Sequence, residues 1–252
     1  MQSVDRAIRV LEILAAQEEI GVTRLAEELG VHKSTAFRLL AALEARGLVE
    51  QNVERGRYRL GFGILRLAGA ITAQLDIVQQ SRPVTTALAA EVGETINVTV
   101  LSGHDALYLD QVAPSSGIQL HNWVGQRIPL HATSNGKVLL AELPDAQVRE
   151  LVGTPLPRFT DRTIHSLAAL RRELGDVRSQ GYASAVEELE RGLVAVAAPI
   201  RGASGDVIAS VSISGPAFRL PESRIDEVAA LAVRAGQDIS FRMGWHGIAR
   251  EG

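Results

Sequence analysis

Five side chains that donate hydrogen bonds stand close together in VTRLAEELGVHKSTAFRLL, residues 22–40: His32, Lys33, Ser34, Thr35 and Arg38. Donors of this kind near the start of a helix contact phosphate oxygens and base edges in a DNA major groove. Arg38 lies one turn after Ser34 and Thr35, so a helix puts all three on one surface. Arginine is the best single reader of guanine, through paired contacts to O6 and N7. The alternative is a solvated arginine, or one that touches phosphate alone. His32 and Lys33 open the helix, where its positive end favours phosphate oxygens. Arg55 and Arg57 flank Gly56 between two short extended runs. From there they reach an adjacent minor groove or the backbone, or serve solubility only.

A second group is Ser210-Val211-Ser212-Ile213-Ser214. Period two puts the hydroxyls on one face and Val211 and Ile213 on the other. The strand before it sets Ala195 and Ala197 against Val194 and Val196. A face of small side chains and hydroxyls has room for a small polar molecule; a solvent-facing Ser/Ala surface is the alternative. His131-Ala132-Thr133-Ser134-Asn135-Gly136-Lys137 reads as a loop feeding a helix whose first N–H groups suit a carboxylate. It is not a phosphate loop, because His131 stands where that motif has its first glycine. Lys137 is open between this site and a solvated helix surface. Glu187-Glu188 reads as a solvated loop before an acid/base pair. The chain has no cysteine, and its 6 histidines lack metal-ligand spacing. No Gly-x-Ser-x-Gly occurs. No catalytic residue, metal or cofactor is therefore expected.

The elements that must position these groups follow from periodicity and breakers. Helix 1 is expected from Val4 to Ala16, capped by Ser3, with Ile8, Leu11 and Leu14-Ala15 inward. Thr23 caps the second helix, and Gly30 ends it in the left-handed region. The third runs from Lys33 to Arg46 and stops at Gly47. Leu25, Ala26, Leu29, Val31, Ala36 and Leu39 are the apolar positions of a helix-turn-helix; an inert three-helix bundle is the bland alternative. LVEQNVERGRYRL then predicts a hairpin, the wing. A linker helix is expected over Ile64–Leu75, and helices over Val78–Val92, Ser134–Leu143, Asp145–Leu151, Ser166–Gln180 and Pro221–Met243. Strands are expected around Ile96–Val100, Ala106–Val112, Val194–Ile200 and Val207–Ser214, making an α+β domain with an antiparallel sheet. The division is 1–61 for the DNA-binding domain, 62–75 for the linker and 76–252 for the sensing domain.

Composition sets the limits. The 252 residues carry a net charge of −3 and are 46% hydrophobic. Residues 32–60 nevertheless hold 6 Lys/Arg against 3 Glu, a local patch sufficient for phosphate contact. No apolar run reaches the roughly 18 residues of a membrane span, and the first residues lack a signal-peptide core. A cytoplasmic location is expected.

SVDRAIRVLEIL, TRLAEELGVHKSTAFRLLAALEARGLVE, PLHATSNGKVLLA, RGLVAVAAPI and SVSISGP occur in that order. With them the chain resembles the IclR family of bacterial transcriptional regulators over residues 3–243. The resemblance implies a winged helix-turn-helix, a linker helix and a GAF-like effector domain. It also implies dimers joined through the DNA-binding end, or tetramers, and repression or activation of catabolic operons in response to small metabolites, mostly carboxylates. Ser212 and Ser214 match serines that hold a carboxylate in glyoxylate-responsive members, and Ser134, Asn135 and Gly136 match the loop whose amides face it. The aspartate and cysteine of those members are Ala185 and Ala195 here, which favours a larger, partly hydrophobic effector. Trp123, Leu130, Leu193 and Ala195 are candidates to line it, with ordinary core as the alternative.

The function expected is thus effector-controlled, sequence-specific binding to a near-palindromic duplex by a homodimer or homotetramer. The rivals are an enzyme acting on a small organic acid and a sensor whose output is a protein partner.

Overall fold

The structure, a computed structural model, describes residues 2–17, 19–52, 56–69, 72–114 and 123–247. Its contacts divide the chain into two units, Met1–Leu75 and Asp76–Gly252.

The first unit contains α1 (Gln2–Ala16), β1 (Ile20–Gly21), α2 (Val22–Leu29), α3 (Lys33–Glu44), β2 (Val49–Asn52), β3 (Arg57–Leu60) and α4 (Gly63–Gly69). Its core joins Val10 and Leu14 of α1 to Leu25, Leu29, Leu40, Leu43, Val49 and Tyr58. Four expectations change. Helix α1 already runs through Ser3, so Ser3 is not its cap, and its buried stripe centres on Val10 and Leu14 while Ile8 and Ala15 are exposed. Helix α2 starts at Val22 behind an extended Gly21, leaving Thr23 inside it. Helix α3 ends at Glu44, two residues early. Gly30 has φ 64°, as a left-handed helix terminus requires, and the next N–H, of Val31, reaches back to Ala26 O at 3.0 Å. Strands β2 and β3 form the expected hairpin, with Asn52 opposite Arg57, and β1 adds to its edge.

Within the expected linker, α4 covers Gly63–Gly69 and α5 covers Thr72–Val92; residues 70 and 71 lie outside the described residues. The second unit continues with β4 (Thr95–Ser102), β5 (Asp105–Val112), β6 (Arg127–Pro129), α6 (Ser134–Ala141), α7 (Asp145–Val152), α8 (Leu167–Gln180), β7 (Ala183–Val186), β8 (Leu193–Arg201), β9 (Val207–Pro216), a 3-10 turn (Glu222–Arg224) and α9 (Ile225–Arg242). The strands form one antiparallel sheet ordered β6-β5-β4-β9-β8-β7. The short strands β6 and β7 were not expected.

Alternation gives this sheet two unlike faces. Ile96 and Val98 of β4, Val194 and Val196 of β8 and Val211 and Ile213 of β9 pack with Leu88 of α5 and Val228, Ala232 and Ile239 of α9. The other face presents Asn97, Thr99, Ala195, Ala197, Ser210, Ser212 and Ser214, aligned across the strands: Asn97 faces Ser212, and Ser212 faces Ala197. Helix α6 lies on it with all eight residues buried, and α8 packs on α6. A register shift after Val98 leaves Leu109 unpaired. This bulge puts Tyr108 on the polar face, opposite Thr99, and Asp110 on the apolar face, opposite Val98.

Candidate functional site

Two places bring the singled-out residues together, one in each unit. In the first, burial of Ala36, Leu40 and Leu43 fixes how α3 is rotated. His32, Lys33, Ser34 and Arg38 are consequently exposed, and Thr35 is half-buried. His32 is the extended residue before the helix, with φ −66° and ψ 146°, and its side chain makes no cap bond. The first N–H groups of α3 thus share an exposed end with His32 and Lys33, an arrangement suited to an anion. Arg57 is exposed on β3; Arg55 lies outside the described residues. Arg59 is engaged by Glu50 at 2.6 Å, and Arg24 by Glu28 at 3.2 Å. Phe37 also stands on the exposed side of α3. Its ring donates no hydrogen bond and so does not stand out among the donors, but its position one turn after Lys33 and Ser34 is legible in the sequence.

In the second unit the hydroxyl face of β9 is not a solvent surface. Ser210 and Ser212 are fully buried, and Ser214 is half-buried. Asn135 of α6 joins them: its amide nitrogen donates to Ser212 Oγ at 2.9 Å and its oxygen accepts from Ser210 Oγ at 2.9 Å. Asn97 of β4 donates to Ser214 Oγ at 3.0 Å. Tyr108 also hydrogen-bonds with Asn135, and burial pushes its phenol up to about 12, so it stays protonated. Three buried atoms here have no hydrogen-bond partner among the described residues: Asn97 Oδ1, Thr99 Oγ1 and Ser134 Oγ. Each such group costs about 1–3 kcal/mol if it stays unpaired.

The remaining expected residues are distributed around this layer. Gly136 packs its Cα against the Leu130 backbone, where a Cβ would collide. Its N–H donates to Thr133 Oγ1 at 3.2 Å, the cap of α6. Leu130 itself sits in the core with Ile128, Val138 and Leu140. Leu193 and Ala195 are half-buried on β8, and Ala195 pairs with Ser214. The Trp123 ring lies tilted 6.0 Å from that of Tyr108, and the Trp123 backbone N–H donates to Gln111 Oε1 at 2.9 Å.

Two expectations are corrected. Lys137 is buried; its ammonium donates to Glu188 at 2.6 Å, Glu173 at 2.8 Å and the Ser184 carbonyl at 2.9 Å, which uses all its protons. Glu187 and Glu188 are not a solvated pair. Glu188 is buried, and burial raises its carboxyl above the usual range despite Lys137. Glu187, at φ 54°, accepts from the Gly192 N–H at 2.6 Å and holds the turn into β8.

Residues 69–241 match the family model of the bacterial transcriptional regulator IclR C-terminal domain, and residues 3–53 match the IclR helix-turn-helix domain. The HTH-type transcriptional regulator XynR of Escherichia coli is 32% identical over 97% of this chain and 98% of its own. The crystal structure of Thermotoga maritima IclR superposes with a TM-score of 0.81 at 27% identity, covering 97% of this chain and all of that one. An IclR homologue from Microbacterium hydrocarbonoxydans, complexed with 4-hydroxybenzoate, gives 0.81 at 27% identity, covering 96% and 98%.

Proposed function

The chain belongs to the IclR family of bacterial transcriptional regulators, and from that premise we propose how its own residues work. It is a helix-turn-helix regulator and not an enzyme. In our reading α3 enters a major groove of the operator, Arg38 contacts a base edge, and His32, Lys33, Ser34 and Thr35 hold phosphates and neighbouring edges. Arg55 and Arg57 of the wing reach the flanking backbone. The observation that carries this is the rotation of α3, which buries Ala36, Leu40 and Leu43 and leaves the donors outside. A homodimer or homotetramer on a near-palindromic operator places two such helices in successive grooves.

The effector binds at the polar layer under α6. Its polar end, a carboxylate, engages Ser212, Ser214 and the start of α6 at Ser134 and Asn135. An apolar remainder points toward Ala195, Leu193 and Trp123. The unpartnered Ser134 Oγ, Thr99 Oγ1 and Asn97 Oδ1 support this placement, as does the half-exposed edge at Ser214, Ala195 and Leu193. The bound 4-hydroxybenzoate of the Microbacterium protein is an acid of this kind. Binding alters DNA affinity only if the effector prefers one of two arrangements of the protein. The catabolic genes and the cytoplasmic setting follow from the same reading; among the described residues no helix is long and apolar enough to cross a membrane.

The test is recovery of chromosomal fragments by the purified full-length chain at low salt, with anisotropy titration of the recovered duplex. Arg38→Ala is expected to weaken binding by about 1–3 kcal/mol and relax preference at one base pair. The affinity should fall steeply with salt. Recovery of no fragment, with or without added small acids, overturns the reading.

A further inference from the structure

Phe37 is 55% exposed, although phenylalanine is ordinarily an interior residue. It lies one turn after Lys33 and Ser34 and one turn before Ala41, all exposed, and beside Arg38. The buried side of α3 carries Ala36, Leu40 and Leu43, so the ring belongs to the donor side. Its charged neighbours Lys33 and Arg38 are cations, which suits a polyanion as the covering partner better than an apolar protein face. Ala41 is short and lets the helix approach a groove floor closely. Among the base edges of a major groove, the apolar group is the C5 methyl of thymine.

We propose that Phe37 is a specificity-determining residue that recognises a thymine, packing its ring on the 5-methyl group near the base pair contacted by Arg38. This rests on the DNA-binding reading of α3 and adds a base preference that the polar donors do not supply.

The probe is a duplex selected from a random-sequence pool by the full-length protein, with each thymine replaced in turn by uracil in both half-sites. That exchange deletes one methyl and leaves the hydrogen-bonding edge intact. At one position per half-site the wild type should bind the uracil duplex about fourfold more weakly per methyl lost. Phe37→Ala should bind the thymine duplex more weakly and no longer distinguish it from the uracil duplex; Phe37→Leu should keep part of the preference. Arg38→Ala should bind weakly yet still prefer thymine.

The proposal is overturned if no uracil exchange affects the wild type, or if Phe37→Ala keeps the wild-type affinity or thymine preference. It is also overturned if Phe37→Ala changes the sedimentation of the free protein and leaves base preference alone, since the ring is then covered by a second copy. In those cases a loss on Arg38→Ala leaves the broader reading standing; failure to select any duplex removes both. The uracil series varies only the DNA, so it stands even if a variant folds poorly.

Discussion

Alternate residues of the same strands build the two faces of the six-stranded sheet, and the faces differ in what they do for the fold. On β9, Val211 and Ile213 point into a core shared with α5 and α9, while Ser210 and Ser212 point under α6. On β4, Ile96 and Val98 stand against Asn97 and Thr99 in the same way. The first face is stabilised by burial of branched side chains, at about 1.5–3 kcal/mol for each one fully buried. The second buries hydroxyls and amides, whose hydrogen bonds give a modest net gain; among the described residues it leaves Asn97 Oδ1, Thr99 Oγ1 and Ser134 Oγ unpaired, where the apolar face leaves Asp110 Oδ2. Stability alone therefore does not account for the polar face. In the proposed reading, the sheet is a scaffold on one side and the effector surface on the other.

The largest test of that contrast lies where the α6 side buries charge. Lys137→Met leaves Glu188 buried beside Glu173 without its cation. Breaking a buried pair from one side costs about 3–5 kcal/mol. The double variant Lys137→Met/Glu188→Gln should recover much of the loss, because the stranded charge is gone. Urea midpoints of the two variants decide it; a single variant within about 1 kcal/mol of wild type would mean that this triad does not hold the layer together.

Next in size is a pair of neighbours on β9. Ile213→Ala should cost about 2–5 kcal/mol through lost burial and the cavity left behind. Once folded, it should retain the effector response. Ser212→Ala, one residue away, should cost about 1–3 kcal/mol, since Asn135 Nδ2 loses its acceptor, but it should abolish the effect of small acids on DNA binding. Thermal melts and operator titrations of both variants separate the faces. Equal stability losses with an unchanged response in each would dissolve the distinction. Tyr108→Phe tests the rim of the same layer: it removes only the hydroxyl that meets Asn135, and about 0.5–1.5 kcal/mol is expected in a melt.

How far these features could be read from sequence depends on the range of the interactions behind them. The helix-turn-helix is local: Gly30, Leu25, Ala26, Ala36 and the donors between them lie within one short stretch, and the period-two pattern of Ser210–Ser214 is equally local. Lys137 is different, because its acids are 36 and 51 residues away. Nothing near it in sequence distinguishes a triad from a solvated lysine. The bulge at Leu109 has no local signal either, yet it decides that Tyr108 joins the polar layer and Asp110 reaches Arg82, at 2.7 Å, on the other face. Strand β7 has no legible period, because Ala183 and Ala185 give too little hydrophobic contrast. In α1, Ile8 is as apolar as Val10 and Leu14 of the true stripe, and Ala15 is compatible with either side. Only packing against α2 and α3 selects between them.

The smallest expected effect concerns His131, at the entrance to α6. Its ring is buried, and Nε2 faces the Pro157 carbonyl at 2.8 Å. A carbonyl only accepts, so Nε2 carries the proton and the neutral ring is already satisfied there. Burial is the main cause holding its pKa below the ordinary 6.5; Lys137 acts in the same direction, and the Pro157 hydrogen bond opposes both. The unfolded chain therefore takes up this proton at a higher pH than the folded one. The contribution is fully present above pH about 6.5 and is lost as pH falls from there through the depressed folded value. Carboxylates with altered pKa, such as Glu188, titrate on their own account, so the wild-type curve alone does not isolate the histidine. His131→Gln keeps a donor for Pro157 and cannot become a cation. Its unfolding free energy should decline less steeply than the wild type's between pH 7 and about 5.5, with similar slopes above pH 7. Parallel curves throughout would mean that water reaches the ring on protonation, and that this end of the α6 layer is less sealed than the apolar face across the sheet.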